Sequence, residues 1–159
     1  MCKKESQSLT MEYFAYSQKA FAYKYVVMLS DTDQFKHMSF ANYLKLMFLA
    51  TDALFVSCFD AEFLSTNRLR LVTSKMQFKK QTIAGDNILI KVNAAGMSTS
   101  QFSLLFTFII EGTAELVGLG RQNYEVIYKS AQSVREVPDC MKDLLLPIVV
   151  DEGNLLYKY

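Results

Sequence analysis

The sequence predicts an α+β domain, a curved antiparallel sheet of about five strands wrapped around one long apolar helix. Three features carry that expectation. Between residues 40 and 56 only Asn42, Lys45, Thr51 and Asp52 are polar, so apolar side chains cover nearly the whole circumference of a helix, which other elements must wrap. Four later segments, 69–79, 87–94, 101–111 and 114–128, are rich in the branched and aromatic residues that pack well on a pleated surface. The connections between them carry glycine in short turns, which favours antiparallel neighbours.

The elements follow in order. A chain of 159 residues has the length of one domain with a substantial core. That domain is expected over residues 13–150, between a polar N-terminal tail at 1–12 and a C-terminal tail at 151–159. From about Ala22 the residues Tyr23, Tyr25, Val27 and Leu29 alternate as in a strand. The apolar helix starts at Ser39 or Phe40. Ala84-Gly85-Asp86 reads as a turn, Gly96 opens another connection, and Gly112-Thr113 fits a tight hairpin loop. Gly118 and Gly120 lie inside the last long strand, where no strand-to-helix step follows them; they mark a bulge or strong curvature and not a phosphate loop. A short terminal helix is expected from Pro138 to Leu146, with proline in its first turn.

Composition narrows the function. With 51% apolar residues, 13% aromatic residues and a formal net charge of +1, neither a disordered chain nor a strongly basic nucleic-acid binder is expected. Cys2, Cys58 and Cys140 are odd in number, widely spaced and without a CxxC pair, which argues against a disulfide framework or zinc knuckle and for a reducing cytoplasm. The first ten residues lack the apolar run of a signal peptide. The apolar window 40–56 carries Lys45 and Asp52 and sits at the short limit for a bilayer span, so no membrane association is expected.

One segment looks like chemistry. Ser30-Asp31-Thr32-Asp33-Gln34-Phe35-Lys36-His37-Met38-Ser39-Phe40 places two carboxylates and the sole histidine between an apolar strand and a helix start. An acid there faces the unpaired amides and the positive dipole end of the helix, where a developing oxyanion is stabilised. That pairing suits attack on a carbonyl. The competing reading of Asp33 is a turn or helix cap, a role aspartate often takes. A Cys58/His37 or Ser39/His37 nucleophilic pair would need an orienting group and a sharp elbow, which the local sequence does not signal. One histidine without clustered cysteines or acids makes no metal site.

Asp31-Thr32-Asp33-Gln34, His37-Met38 and Ala41-Asn42-Tyr43-Leu44 together resemble the active-site loop and helix start of hotdog-fold thioesterases of the hydroxybenzoyl-CoA thioesterase type. Ala84-Gly85-Asp86 and residues 135–145 are similar to that family's inner turn and closing segment, so the likeness spans most of residues 22–146. The resemblance implies a thioesterase acting on an acyl-CoA or acyl-carrier-protein thioester, with coenzyme A or phosphopantetheine as part of the substrate and no further cofactor. It implies Asp33 as the catalytic carboxylate, either base or nucleophile, and the Phe40 N–H as oxyanion donor. Asn42, Tyr43 and His37 would support or contact the substrate, His37 by hydrogen bonds within the loop. A homodimer or homotetramer is implied as well. The chain departs from the family pattern at Lys36, where glycine is usual, and at Ser39-Phe40, where Asn-Asn is common. Lys36 must therefore accept a positive φ or force another loop shape.

Two further readings remain open: a non-catalytic acyl-thioester-binding protein, and a hydratase or dehydratase working through His37. Met47, Phe48, Phe55, Phe102, Phe106 and Phe108 read as core rather than an acyl tunnel. Lys79, Lys80 and Lys129 read as solvated surface, although they could meet phosphates or an acidic carrier.

Overall fold

A computed structural model describes residues 20–130, 132–155 and 158–159; the expected N-terminal tail lies outside the described residues. The strands are β1 (Phe21–Val26), β2 (Asn67–Phe78), β3 (Asn87–Ala95), β4 (Gln101–Ile110), β5 (Leu116–Tyr128) and β6 (Ser133–Val134). They form one antiparallel sheet in the order β1-β3-β4-β5-β2, with β6 added to the end of β5. The helices are α1 (Phe40–Val56), α2 (Ala61–Thr66) and α3 (Asp139–Leu145).

Helix α1 occupies the apolar window read from the sequence and lies across the concave face of the sheet. Tyr43, Leu46, Met47, Ala50, Thr51, Leu54 and Phe55, spaced by three and four, are its buried residues. They share one core with Ile88, Ile90, Phe102, Phe106, Phe108, Val117 and Val126. Each such side chain contributes about 1.5–3 kcal/mol when fully buried. Met47, Phe55, Phe102, Phe106 and Phe108 are thus core, whereas Phe48 is 43% exposed. With Phe40 and Leu44 it forms an exposed apolar stripe at four-residue spacing, so the described residues wrap only one side of the helix.

The two glycines of β5 serve different ends. The pairing slips beside Gly118, where Phe108 is opposite Gly118 and Ile109 is opposite Leu116, leaving Val117 as the bulged residue. Its carbonyl accepts the amides of Lys79 and Lys80, at 2.9 and 3.0 Å. Gly120 lies under α1, and a Cβ there would fall on the Met47 sulfur. The first glycine accompanies the expected bulge; the second lets helix and sheet approach.

Some boundaries differ from expectation. Strand β1 stops at Val26, and Leu29–Asp31 forms a 3-10 turn because the Asp31 carboxylate accepts the Met28 amide at 2.8 Å. Pro138 is the cap before α3 and not a residue of its first turn. Helix α2 has no apolar periodicity to announce it; it is started by Asp60, whose side chain accepts the Phe63 amide at 2.7 Å. Residues of the C-terminal segment lie on the sheet: Glu152 pairs with Arg121 at 2.5 Å, the Lys158 carbonyl accepts from Gln77 at 3.1 Å, and the Tyr159 and Thr107 hydroxyls bond to each other.

Candidate functional site

The loop between β1 and α1 is folded by its two aspartates, in opposite ways. Asp31 is buried, and its carboxylate accepts the Tyr25 hydroxyl at 2.7 Å and the Met28 amide. Partial burial, this hydrogen bond and the nearby negative charge push the Tyr25 hydroxyl up to about 12. The Asp31 carbonyl accepts the Ser39 amide at 3.0 Å and the Asn42 side-chain amide at 2.8 Å, tying the loop to the helix start.

Asp33 is exposed and begins a tight turn of its own. Its Oδ1 accepts the backbone amides of Phe35 at 2.8 Å and His37 at 3.3 Å, and its N–H donates to the His37 carbonyl at 2.8 Å. Residues 34–36 are therefore a three-residue loop between paired positions 33 and 37. Lys36 takes φ +63, the left-handed conformation that glycine adopts without strain, so of the two alternatives left open for this position it is the positive φ that is realised. Asp33 Oδ2 has no hydrogen-bond partner among the described residues. The sequence left cap and catalytic carboxylate as alternatives; the geometry gives one oxygen to the cap and leaves the other open.

His37 bonds within the loop through its backbone alone, to Asp33; its imidazole, the part that distinguishes it, has no hydrogen-bond partner among the described residues. Beyond the turn, His37 bridges to Ile83, and the Met38 amide donates to the Thr82 carbonyl at 2.8 Å, so the loop is held against residues 82–83.

These segments enclose a cleft of about 340 Å³ lined by Asp33, His37, Met38, Ser39, Phe40, Tyr43, Phe78, Lys79, Lys80 and Gln81. Four of the residues singled out from the sequence, Asp33, His37, Phe40 and Tyr43, thus come together, while Asn42 stands outside and acts on the loop backbone. Phe40 is the first residue of α1, and its amide donates to no group among the described residues. Its side chain is 70% exposed and meets the half-exposed Phe78 edge-on at 6.3 Å. Tyr43 forms the floor. Its ring meets Phe78 at 5.3 Å and Phe108 at 5.6 Å, both edge-on, and its hydroxyl meets Thr82 Oγ1 at 2.9 Å. Burial raises the Tyr43 hydroxyl, against the opposing effect of the Thr82 bond.

Phe78, Gln81 and Thr82 escaped sequence reasoning. Phe78 is the last residue of β2, and Gln81 and Thr82 sit in an aperiodic stretch with no motif. The pairing of residues 37–38 with 82–83 and the contacts of Phe40 and Tyr43 with Phe78 and Thr82 bring them to the loop. Lys80 is paired with Glu115, Lys79 has no side-chain partner among the described residues, and Lys129 does not line the cleft. Among the described residues, no three of His, Cys, Asp and Glu gather as a metal-ligand set, and no helix is long and apolar enough to cross a membrane.

No protein-family model matches the chain, and no curated protein matches it in sequence. Its fold is shared with solved structures. A 1,4-dihydroxy-2-naphthoyl-CoA thioesterase from Synechocystis superposes with a TM-score of 0.73 at 18% identity, over 80% of this chain and 96% of that one. The dynemicin thioesterase, known with polyene bound, gives a TM-score of 0.75 at 16% identity over 84% and 99%. A Staphylococcus aureus protein in complex with CoA gives 0.76 at 13% identity over 82% and 84%. The sheet wrapped on α1 is the hotdog fold, and thioesterases are among the proteins that share it.

Proposed function

We propose that this chain is a thioester hydrolase acting on an acyl-CoA thioester, with Asp33 as the catalytic carboxylate and the Phe40 amide as oxyanion donor. One observation carries the reading: Asp33, which has an oxygen without a hydrogen-bond partner among the described residues, and Phe40, whose amide donates to none of them, line the same cleft. The fold's kinship with thioesterases and with a CoA complex supports it. As base, Asp33 takes a proton from water while the hydroxyl oxygen attacks the thioester carbon. The carbonyl oxygen gathers negative charge beside the Phe40 N–H and the dipole of α1, the carbon–sulfur bond breaks, and the proton passes to the departing thiolate. As nucleophile, the same carboxylate attacks the thioester carbon, the carbon–sulfur bond breaks to release the thiolate, and water cleaves the resulting mixed anhydride to the free acid and the Asp33 carboxylate, its proton neutralising the thiolate. Lys79, unpaired among the described residues at the cleft edge, suits the phosphates of coenzyme A; an acidic carrier protein would use the same charge.

The active unit is proposed to be a homodimer or larger. Strand β2, twelve residues long, is an edge strand that pairs with β5 on one side and with no strand among the described residues on the other, and the Phe40, Leu44 and Phe48 stripe is exposed, so a second copy would cover both. A second reading, an acyl-thioester-binding protein without turnover, is favoured by the cap role of Asp33 Oδ1. Thiol release from a panel of acyl-CoA and acyl-pantetheine thioesters, with wild type beside Asp33→Asn, separates them. Release that the substitution abolishes supports the hydrolase; tight binding without release supports the binder.

A further inference from the structure

Serine at a helix start ordinarily folds its hydroxyl over the first turn to accept the amide two or three residues on. Ser39 has the backbone of such a cap, φ −65 and ψ 145, yet its side chain makes no cap bond. Its Oγ instead accepts the Asn42 side-chain amide at 3.2 Å. The same Nδ2 donates to the Asp31 carbonyl at 2.8 Å, and that carbonyl also holds the Ser39 amide. Asn42 is thus fixed on the loop side of the helix, and it turns the serine hydroxyl toward itself. The consequence lies at the cleft: the Phe40 and Ala41 amides donate to nothing among the described residues.

We propose that Asn42 is a positioning residue that keeps the Ser39 hydroxyl from capping α1, and so keeps the start of that helix open to the substrate's oxygen. The proposal rests on the hydrolase reading for its catalytic consequence. A capping oxygen would satisfy an inner amide and set an electron-rich atom where the thioester oxygen has to gather charge, weakening the donor cluster just where it is needed. Asn42 touches no substrate in this account. It acts through the rotamer of Ser39, and for that reason its loss should be reversible by removing the hydroxyl.

The test uses the full-length chain with Asn42→Ala, Asn42→Leu, which keeps the bulk without the donor, and each combined with Ser39→Ala. Thermal melting establishes that each variant folds. Amide proton shifts of Ala41, compared with wild type, and of residue 42, compared with the same substitution in the Ser39→Ala background, read by NMR without substrate, report whether a cap forms. Turnover of benzoyl-CoA, or of the thioester the panel ranks highest, reports kcat and KM. In the Asn42 variants one of those amide protons should move downfield, and kcat should fall about tenfold or more with KM nearly unchanged. Adding Ser39→Ala should return the amide shift and recover kcat severalfold, although stability is not restored. Unmoved amides, or a double variant no more active than the single one, overturn the proposal. If wild type releases no thiol, the hydrolase reading falls on its own, and the amide shifts alone decide whether Asn42 holds the hydroxyl.

Discussion

The carboxylates of Asp31 and Asp33, two residues apart, face opposite environments: Asp31 is 5% exposed and holds Tyr25 and Met28, whereas Asp33 is exposed and keeps one oxygen open at the cleft. A hydrogen bond to a charged group is worth about 1.5–3 kcal/mol, and a buried donor left unmatched costs a similar amount. Asp31→Ala, which leaves the Tyr25 hydroxyl and the Met28 amide without their acceptor, should therefore lower stability by about 1.5–3 kcal/mol. Asp33→Asn keeps an acceptor for the turn amides and should stay within about 0.5 kcal/mol of wild type. Urea unfolding at neutral pH checks both; equal losses would contradict the division of labour.

Lys36 offers a gain in stability. Its φ of +63 costs a side-chain-bearing residue about 1–2 kcal/mol, partly offset in any glycine variant by the greater freedom of the unfolded chain. Lys36→Gly should stabilise the protein by about 0.5–1 kcal/mol, while Lys36→Ala, equally strained, should not. Paired denaturation curves for the two variants decide it.

The Tyr25–Asp31 contact sets an alkaline limit. The Tyr25 hydroxyl is raised to about 12 from its ordinary 10.0, so its contribution is fully present below pH 10 and is lost as the pH rises from there toward 12. Tyr124, raised to about 12 chiefly by burial, acts in the same direction. Tyr25→Phe should be less stable at neutral pH and should lose less than wild type on going from pH 9 to 11.5. Unfolding free energies across that range supply the test, and parallel curves would count against it.

Gly120 should tolerate no side chain while Met47 remains. Overpacking at such a contact costs about 1–3 kcal/mol, which Gly120→Ala should show. Combining it with Met47→Ala should cost less than the two changes summed, because the methyl and the sulfur compete for one space. A double-mutant cycle in stability reads that coupling directly.

Much of this molecule was written in local pattern. The apolar run from Phe40 to Val56 could only be a helix, and it is one over those same residues. The strand segments, each dense in branched and aromatic residues, lie within a few residues of their expected ends, and β3, β4 and β5 pair antiparallel in chain order, whereas β2 pairs with β5 and not with β3, the strand that follows it. The loop of Asp31 to His37 was legible as the candidate site because carboxylates, histidine and a helix start share one stretch of chain. Helix α2 and the approach of Glu152 and Tyr159 to the sheet were not, since a short capped helix and a returning segment leave no hydrophobic period.

The sequence by itself determined the fold class, the long helix and the segment that carries the candidate site, because periodicity and turn chemistry act over neighbouring residues. Tertiary structure decided which aspartate is buried, that Lys36 takes the conformation of a glycine, and that Phe78 and Gln81 border the cleft beside Asp33. Those outcomes depend on residues 37–38 pairing with 82–83, and on Asn42 reaching back eleven positions to the Asp31 carbonyl. Contacts between segments so far apart arise only when the sheet closes on the helix, and no local pattern records them.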